Sequence, residues 1–126
     1  MKNRVVLIVD DDPSIHRWLT RLLEVLGYVV MTAKDRRAAE VVLTAARIDA
    51  VILDLRLGDD SGLDVLDFVR SRADLAPLPV LMLTGSACMT ETERNSIRRQ
   101  GARLFHKPAA ASEIHAALTR ALDSVH

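Results

Sequence analysis

The sequence predicts an α/β fold, a parallel sheet with helices on both faces, and three observations carry that prediction. Apolar runs of strand length alternate five times with amphipathic stretches of helix length. The runs are almost continuously aliphatic, as in strands buried on both sides. Each is bounded by turn-forming or helix-stopping residues, Gly27, Gly58, Gly62, Pro77, Pro79 and Gly101 among them. Right-handed crossovers join strands of this kind. Ligands bind such sheets outside the carboxyl ends of the strands.

Val5-Val6-Leu7-Ile8-Val9 is the first strand, ending in Asp10-Asp11-Asp12. Pro13 follows, which marks Asp12 as an N-cap with proline at the first helical position. The first helix runs to about Leu26, with Ile15, Leu19, Leu22 and Leu26 as its stripe. Trp18 and Val25 flank that stripe, His16 lies off it, and Gly27 stops the helix. Tyr28 to Thr32 is the second strand. Asp35 to about Arg47 is the second helix, presenting Ala38, Val41, Val42 and Ala45.

Ala50 to Leu53 is the third strand, with Asp54 at its mouth and the turn-rich loop from Gly58 to Gly62 beyond. Leu63, Leu66 and Val69 mark the third helix. Val80 to Leu83 is the fourth strand, ending at Thr84-Gly85-Ser86. The polar segment from Thr90 to Gln100 is the fourth helix, with Ile97 as its one large aliphatic residue. Ala102 to His106 is the fifth strand, followed by Lys107-Pro108. Ser112 is placed as the N-cap of a last helix striped by Ile114, Ala117, Leu118, Ala121, Leu122 and Val125. No repeat or linker interrupts the series, so residues 1–126 are expected to form a single domain.

Composition narrows the class. The 126 residues are enough for one domain with a proper core, and that core is aliphatic, at 49% hydrophobic and 3% aromatic. Lys plus Arg equal Asp plus Glu at 17 each, so no overall charge favours nucleic acid or an anionic membrane. The single Cys88 excludes an intrachain disulfide framework and a cysteine-based zinc site, and fits a reducing, cytoplasmic setting. Only five apolar residues precede the aspartates, too few for a signal peptide or membrane span. The four histidines form no metal cluster.

The strand ends carry the chemistry: Asp10 and Asp11, Asp54, Thr84 and Lys107. Two like charges about 4 Å apart repel by roughly 4 kcal/mol at an effective dielectric of about 20. Carboxylates crowded at one sheet edge therefore call for a cation or a raised pKa. All-oxygen ligation with room for water suits Mg²⁺ or Mn²⁺. With one lysine and one hydroxyl added, the set has the makings of a phosphoryl-transfer site. Aspartates stand where a phosphate-cradling Gly-rich loop would follow the first strand, so a small phosphoryl group suits the site and a nucleotide does not. A carboxylate can act as nucleophile in phosphoryl transfer, which makes Asp54 a candidate covalent acceptor. Lys107 would neutralise the phosphoryl oxygens, and Thr84 would hydrogen-bond one of them.

Val9-Asp10-Asp11, Asp54, Thr84-Gly85 and Lys107-Pro108, in this order and at these strand ends, resemble the receiver domain of two-component response regulators. The resemblance covers essentially the whole chain. It implies a flavodoxin-like (βα)5 three-layer sandwich with strand order 2-1-3-4-5. It also implies phosphorylation of Asp54 by a histidine kinase or histidine phosphotransfer protein. Metal ligation would fall to Asp11 directly, Asp10 through water, Asp54, and the backbone carbonyl of Arg56. The Lys107-Pro108 peptide would be cis. The acyl phosphate would shift the domain between two populations and alter the face of the fourth helix, fifth strand and last helix, which a downstream effector or output domain reads. The last helix is also a candidate surface for weak homodimerisation. The domain would promote its own phosphorylation and dephosphorylation, not act as an enzyme in the usual sense.

The chain departs from the family pattern at three places. Leu104 stands three residues before the lysine, where the family usually has Phe or Tyr, and Phe105 follows it on what should be the opposite face. Gly58 stands where proline is frequent, and Ala109 where an aromatic is common. Two other readings compete: a phosphatase forming an aspartyl-phosphate, and a degenerate receiver that only binds protein. The first often needs an aspartate two residues past the nucleophile, where this chain has Arg56. The intact residue set makes the second unnecessary.

Overall fold

A computed structural model describes residues 3–85, 89–107 and 109–123. Within them, the apolar runs form strands β1 (Val5–Val9), β2 (Val29–Ala33), β3 (Ala50–Asp54), β6 (Val80–Thr84) and β7 (Arg103–His106). The helices are α1 (Pro13–Val25), α2 (Arg36–Ala45), α3 (Gly62–Ser71), α4 (Glu91–Arg99) and α5 (Ala111–Asp123). The five-stranded sheet is parallel throughout, in the order β2-β1-β3-β6-β7. Its strands follow the expected 2-1-3-4-5 arrangement. The labels run on to β7 because a short antiparallel ribbon, β4 (Arg56–Leu57) with β5 (Asp60–Ser61), stands where the sequence reads as loop.

Side-chain alternation along the strands divides the core into two layers. Leu7, Val9, Val51, Leu53, Val80 and Met82 face α2, α3 and α4. Val6, Ile8, Ala50, Ile52, Leu81 and Leu83 face α1 and α5. Leu104 packs into the first layer and Phe105 into the second, the opposite orientations that strand geometry requires. Asp12 caps α1, its carboxylate accepting from the Ser14 amide at 2.9 Å. Gly101 stops α4 as expected, with a φ of 70°, whereas Thr90, read from the sequence as the first residue of the helix, is its N-cap.

Several details differ from the sequence reading. β2 begins at Val29, not Tyr28, because the Tyr28 amide turns back to the Leu23 carbonyl while the Val29 amide donates to Arg4 on β1's approach. α1 buries Leu19 and Leu23 completely, whereas Val25 is exposed. In α2 the buried face is Ala39 and Leu43, one residue round from the predicted stripe, and Val41 is exposed. Apolar residues fill a wide arc of that helix opposite Arg36, Arg37, Glu40 and Thr44, and its bulkiest aliphatic, Leu43, decides which part of the arc turns inward. Ser112 lies within α5 and does not cap it. The Ala110 amide donates to Glu113 Oε1 at 3.1 Å and the Glu113 amide to the Ala110 carbonyl at 3.0 Å, which starts the helix earlier. The expectations for Ser86, Cys88, Pro108 with its cis peptide, Val125 and His126 lie outside the described residues.

Candidate functional site

Parallel pairing brings the ends of β1, β3, β6 and β7 to one edge. Val9 pairs with Leu53, Asp54 with Leu83, and Thr84 with His106. Asp10, Asp54, Thr84 and Lys107 are thereby delivered to one mouth although 97 residues separate the first from the last. Asp10 and Asp54 are buried at 2% and 7% exposure, and Thr84 is fully buried. Asp11 stands on the exposed side.

The three carboxylates converge. Asp10, Asp11 and Asp54 each place one oxygen so that all lie within 4.8 Å of one another. Ligands around a small octahedral ion with bonds of about 2.1 Å stand about 3–4 Å apart. An all-oxygen donor set of this kind fits Mg²⁺ or Mn²⁺ and not a thiophilic metal.

Lys107 holds the cluster together. Its Nζ donates to Asp10 Oδ2 at 2.9 Å and to Asp54 Oδ2 at 3.2 Å. Its own amide donates to the Thr84 carbonyl at 2.8 Å, fixing the start of the side chain to the neighbouring strand. Burial acts to lower the Lys107 pKa, but the bonds and charges of Asp10 and Asp54 outweigh it and hold the ammonium above its ordinary value. Asp54 moves upward from the usual carboxylate range, first through burial and second through the nearby Asp10 charge, with Lys107 pulling the other way. One ammonium faces three carboxylates, so the pocket has room in its charge balance for a further cation.

Backbone ties fix the loops that carry these groups. The Asp10 amide donates to the Ala33 carbonyl at 3.1 Å and the Asp12 amide to Asp10 Oδ1 at 2.9 Å. The His16 imidazole, expected at the surface, is half-buried and hydrogen-bonds the Asp10 carbonyl. Gly62 lies against the acceptor strand so closely that a Cβ there would fall 2.1 Å from the Asp54 carbonyl oxygen. Gly58 takes a φ of 62°, a conformation that a side chain at that turn would strain. Neither the His16 bond nor the Gly62 approach is visible in the sequence, since both depend on contacts between elements.

Arg56 connects the acceptor to α4. Its amide approaches Asp54 Oδ1 at 3.4 Å, and its guanidinium pairs with both oxygens of Glu93 at 2.7 and 3.1 Å. That guanidinium, followed by the Thr90 amide, holds the Glu93 carboxyl below its ordinary pKa. Thr90-x-x-Glu93 is a capping-box pattern, so the sequence contains the signal for Glu93 as a cap but none for its pairing with Arg56. Beside the site, Ser14, Ile15, Trp18, Leu83, Lys107 and Ala109 line a groove of about 480 Å³. Trp18 is 39% exposed there.

Fold and site together define a class: a doubly wound sheet whose carboxyl edge carries a lysine-bridged acidic pocket with a buried threonine. Comparison with known proteins makes it specific. Residues 6–119 match the model of the response regulator receiver domain, and the chain belongs to that family of two-component signalling domains. It is 34% identical over 118 residues to the alginate biosynthesis transcriptional regulatory protein AlgB of Pseudomonas putida, covering 94% of this chain and 26% of that protein. It is 34% identical over 116 residues to the acid tolerance regulatory protein ActR of Sinorhizobium medicae, covering 92% of this chain and 58% of that one. The chain therefore spans about a quarter and just over half of these relatives. The solved structure of chemotaxis protein CheY4 from Vibrio cholerae superimposes with a TM-score of 0.86 at 30% identity, covering 96% of this chain and 100% of that one. A receiver domain from Methanospirillum hungatei shares the fold at a TM-score of 0.89 and 22% identity, over 98% and 96% of the two chains. Among the described residues no helix is long and apolar enough to cross a membrane.

Proposed function

We propose that Asp54 accepts a phosphoryl group from a phosphohistidine donor, either a histidine kinase or a histidine phosphotransfer protein. The acyl phosphate so formed regulates a downstream effector or output domain. One observation supports this most strongly: the Lys107 ammonium bridges Asp10 and Asp54 at 2.9 and 3.2 Å beside a three-carboxylate cluster. A carboxylate oxygen of Asp54 attacks phosphorus and forms the new P–O bond. The donor's P–N bond breaks, and its imidazole nitrogen leaves with the electron pair and takes up a proton. In this reading Lys107 follows the charge onto the phosphoryl oxygens, and the Thr84 hydroxyl, at the end of the strand paired with the one that leads to Lys107, hydrogen-bonds one of them.

Asp10, Asp11, Asp54 and the Arg56 backbone carbonyl would hold Mg²⁺ or Mn²⁺. When bound, such an ion supplies neutralising charge to the phosphoryl oxygens. Dephosphorylation is attack of water on phosphorus, which returns the Asp54 carboxylate and releases inorganic phosphate. The domain in this reading promotes its own modification and its reversal, and turns over no external substrate as an enzyme would. Residues 1–126 act as one cytoplasmic receiver unit. The balance of 17 basic and 17 acidic residues supports protein partners over nucleic acid or membrane. A weak homodimer through α5 belongs to the same reading.

The phosphatase reading loses further ground because Arg56 stands where its second carboxylate belongs and spends its guanidinium on Glu93. Incubation with acetyl phosphate and Mg²⁺, read by intact mass, tests the proposal. One added phosphoryl group is expected, lost in Asp54→Asn and in EDTA. Failure to label under any condition would overturn it, and multiple turnover of external phosphoesters would favour the phosphatase.

A further inference from the structure

α4 is attached to the body of the protein chiefly by polar contacts, and its two ends are held by different partners. Ile97 is its one buried residue. At the C-terminal end, Arg70 of α3 donates from Nε to the Gln100 carbonyl at 2.7 Å, and Gln100 Nε2 donates to Asp67 of α3 at 2.8 Å. At the N-terminal end the tie runs elsewhere. Glu93 receives both arms of Arg56, which lies 37 residues earlier and two residues past Asp54. Glu93 Oε1 also accepts the Thr90 amide at 2.9 Å, so one carboxylate caps the helix and binds the acceptor loop.

We propose that the Arg56–Glu93 pair is a charge-operated latch: Glu93 holds the N-terminal end of α4 to the acceptor loop until a phosphoryl group on Asp54 draws Arg56 away. This rests on Asp54 being the acceptor. An acyl phosphate carries about one more negative charge than the carboxylate it replaces and offers three strong acceptor oxygens. The planar guanidinium fork suits phosphate at least as well as carboxylate. Glu93 keeps the Thr90 amide after Arg56 leaves, so α4 stays capped. The bonds of Gln100 to Arg70 and Asp67 of α3 are untouched, so the C-terminal end becomes the pivot. On β7, Leu104 faces this layer without a polar handle, and Phe105 belongs to the opposite layer.

Glu93→Gln separates the latch from the cap, because glutamine still accepts the Thr90 amide but pairs weakly with Arg56. Amide hydrogen exchange of the whole chain, read over residues 91–97, is the measurement, with intact mass recording phosphorylation in the same samples. Before phosphorylation, Glu93→Gln is expected to exchange about two- to fivefold faster than wild type, as loss of an exposed bidentate pair implies. After acetyl phosphate and Mg²⁺, wild type should rise to the Glu93→Gln rate while the variant changes little. Adding Arg56→Gln to Glu93→Gln should bring no further increase, which a purely structural contribution from either side chain would not produce. A phosphorylated wild type with unchanged exchange in α4 overturns the latch alone, as does a Glu93→Gln rate equal to wild type. A chain that takes up no phosphoryl group overturns the acceptor reading and the latch together.

Discussion

α3 and α4 lie on the same face of the sheet, yet they are held there by different physics. α3 buries Gly62, Val65, Leu66 and Val69, and the last three join the main core layer. α4 buries Ile97 and otherwise depends on its capping box, on Arg56, and on the Arg70 and Gln100 bonds. Apolar burial is non-directional and responds little to one added charge. Ion pairs and hydrogen bonds are discrete, and a competing anion can exchange their partners. The difference assigns α3 to the rigid frame beside Asp54 and α4 to the part that a change at Asp54 can move.

The contrast can be broken at several points, in falling order of effect. Leu66→Ala removes a fully buried side chain from the α3 stripe and should cost roughly 2–5 kcal/mol of global stability, seen as a lower denaturation midpoint. Gly62→Ala forces a Cβ against the Asp54 carbonyl and should cost roughly 1–3 kcal/mol. Because it also shifts the acceptor strand's end, its rate of labelling by acetyl phosphate should fall even at temperatures where it is folded. Arg70→Met keeps an apolar stem but strips donors from the carbonyls of Ala76, Leu78 and Gln100. A loss of about 1–3 kcal/mol is expected, with amide exchange rising around Gln100 and Gly101 more than along α3. Glu93→Gln is the mildest, at about 0.2–1 kcal/mol, because Arg56 is 47% exposed and solvent screens the pair. A Glu93→Gln loss as large as that of Leu66→Ala would erase the distinction between the helices.

How much of this was legible in the sequence follows from the range of each interaction. Asp10, Asp54, Thr84 and Lys107 could be placed because a buried parallel strand can release a charged or polar residue only at its end, and strand ends are read locally. The cap Asp12 is readable for the same reason. The stripe of α2 is displaced by one residue because Arg36, Arg37, Glu40 and Thr44 mark one polar side but leave a wide apolar arc from Val41 round to Leu43, so local pattern alone does not choose which part of that arc is buried. Ser112 resembled a cap, but the Glu113 carboxylate reaching back to Ala110 started α5 sooner. Arg56 with Glu93, Arg70 with Gln100, and His16 with Asp10 stayed hidden because the partners come from different elements. Their residue types mark no pairing until the fold is known.

The central claim is that Asp54 is the phosphoryl acceptor of this receiver domain, and trapping the acyl phosphate tests it most directly. Borohydride reduces an aspartyl phosphate to homoserine. After treatment with acetyl phosphate and Mg²⁺, reduction and peptide sequencing should place homoserine at position 54, with aspartate retained at positions 10, 11 and 12. Homoserine at another aspartate, or at none while the phosphoryl mass is present, would contradict the account.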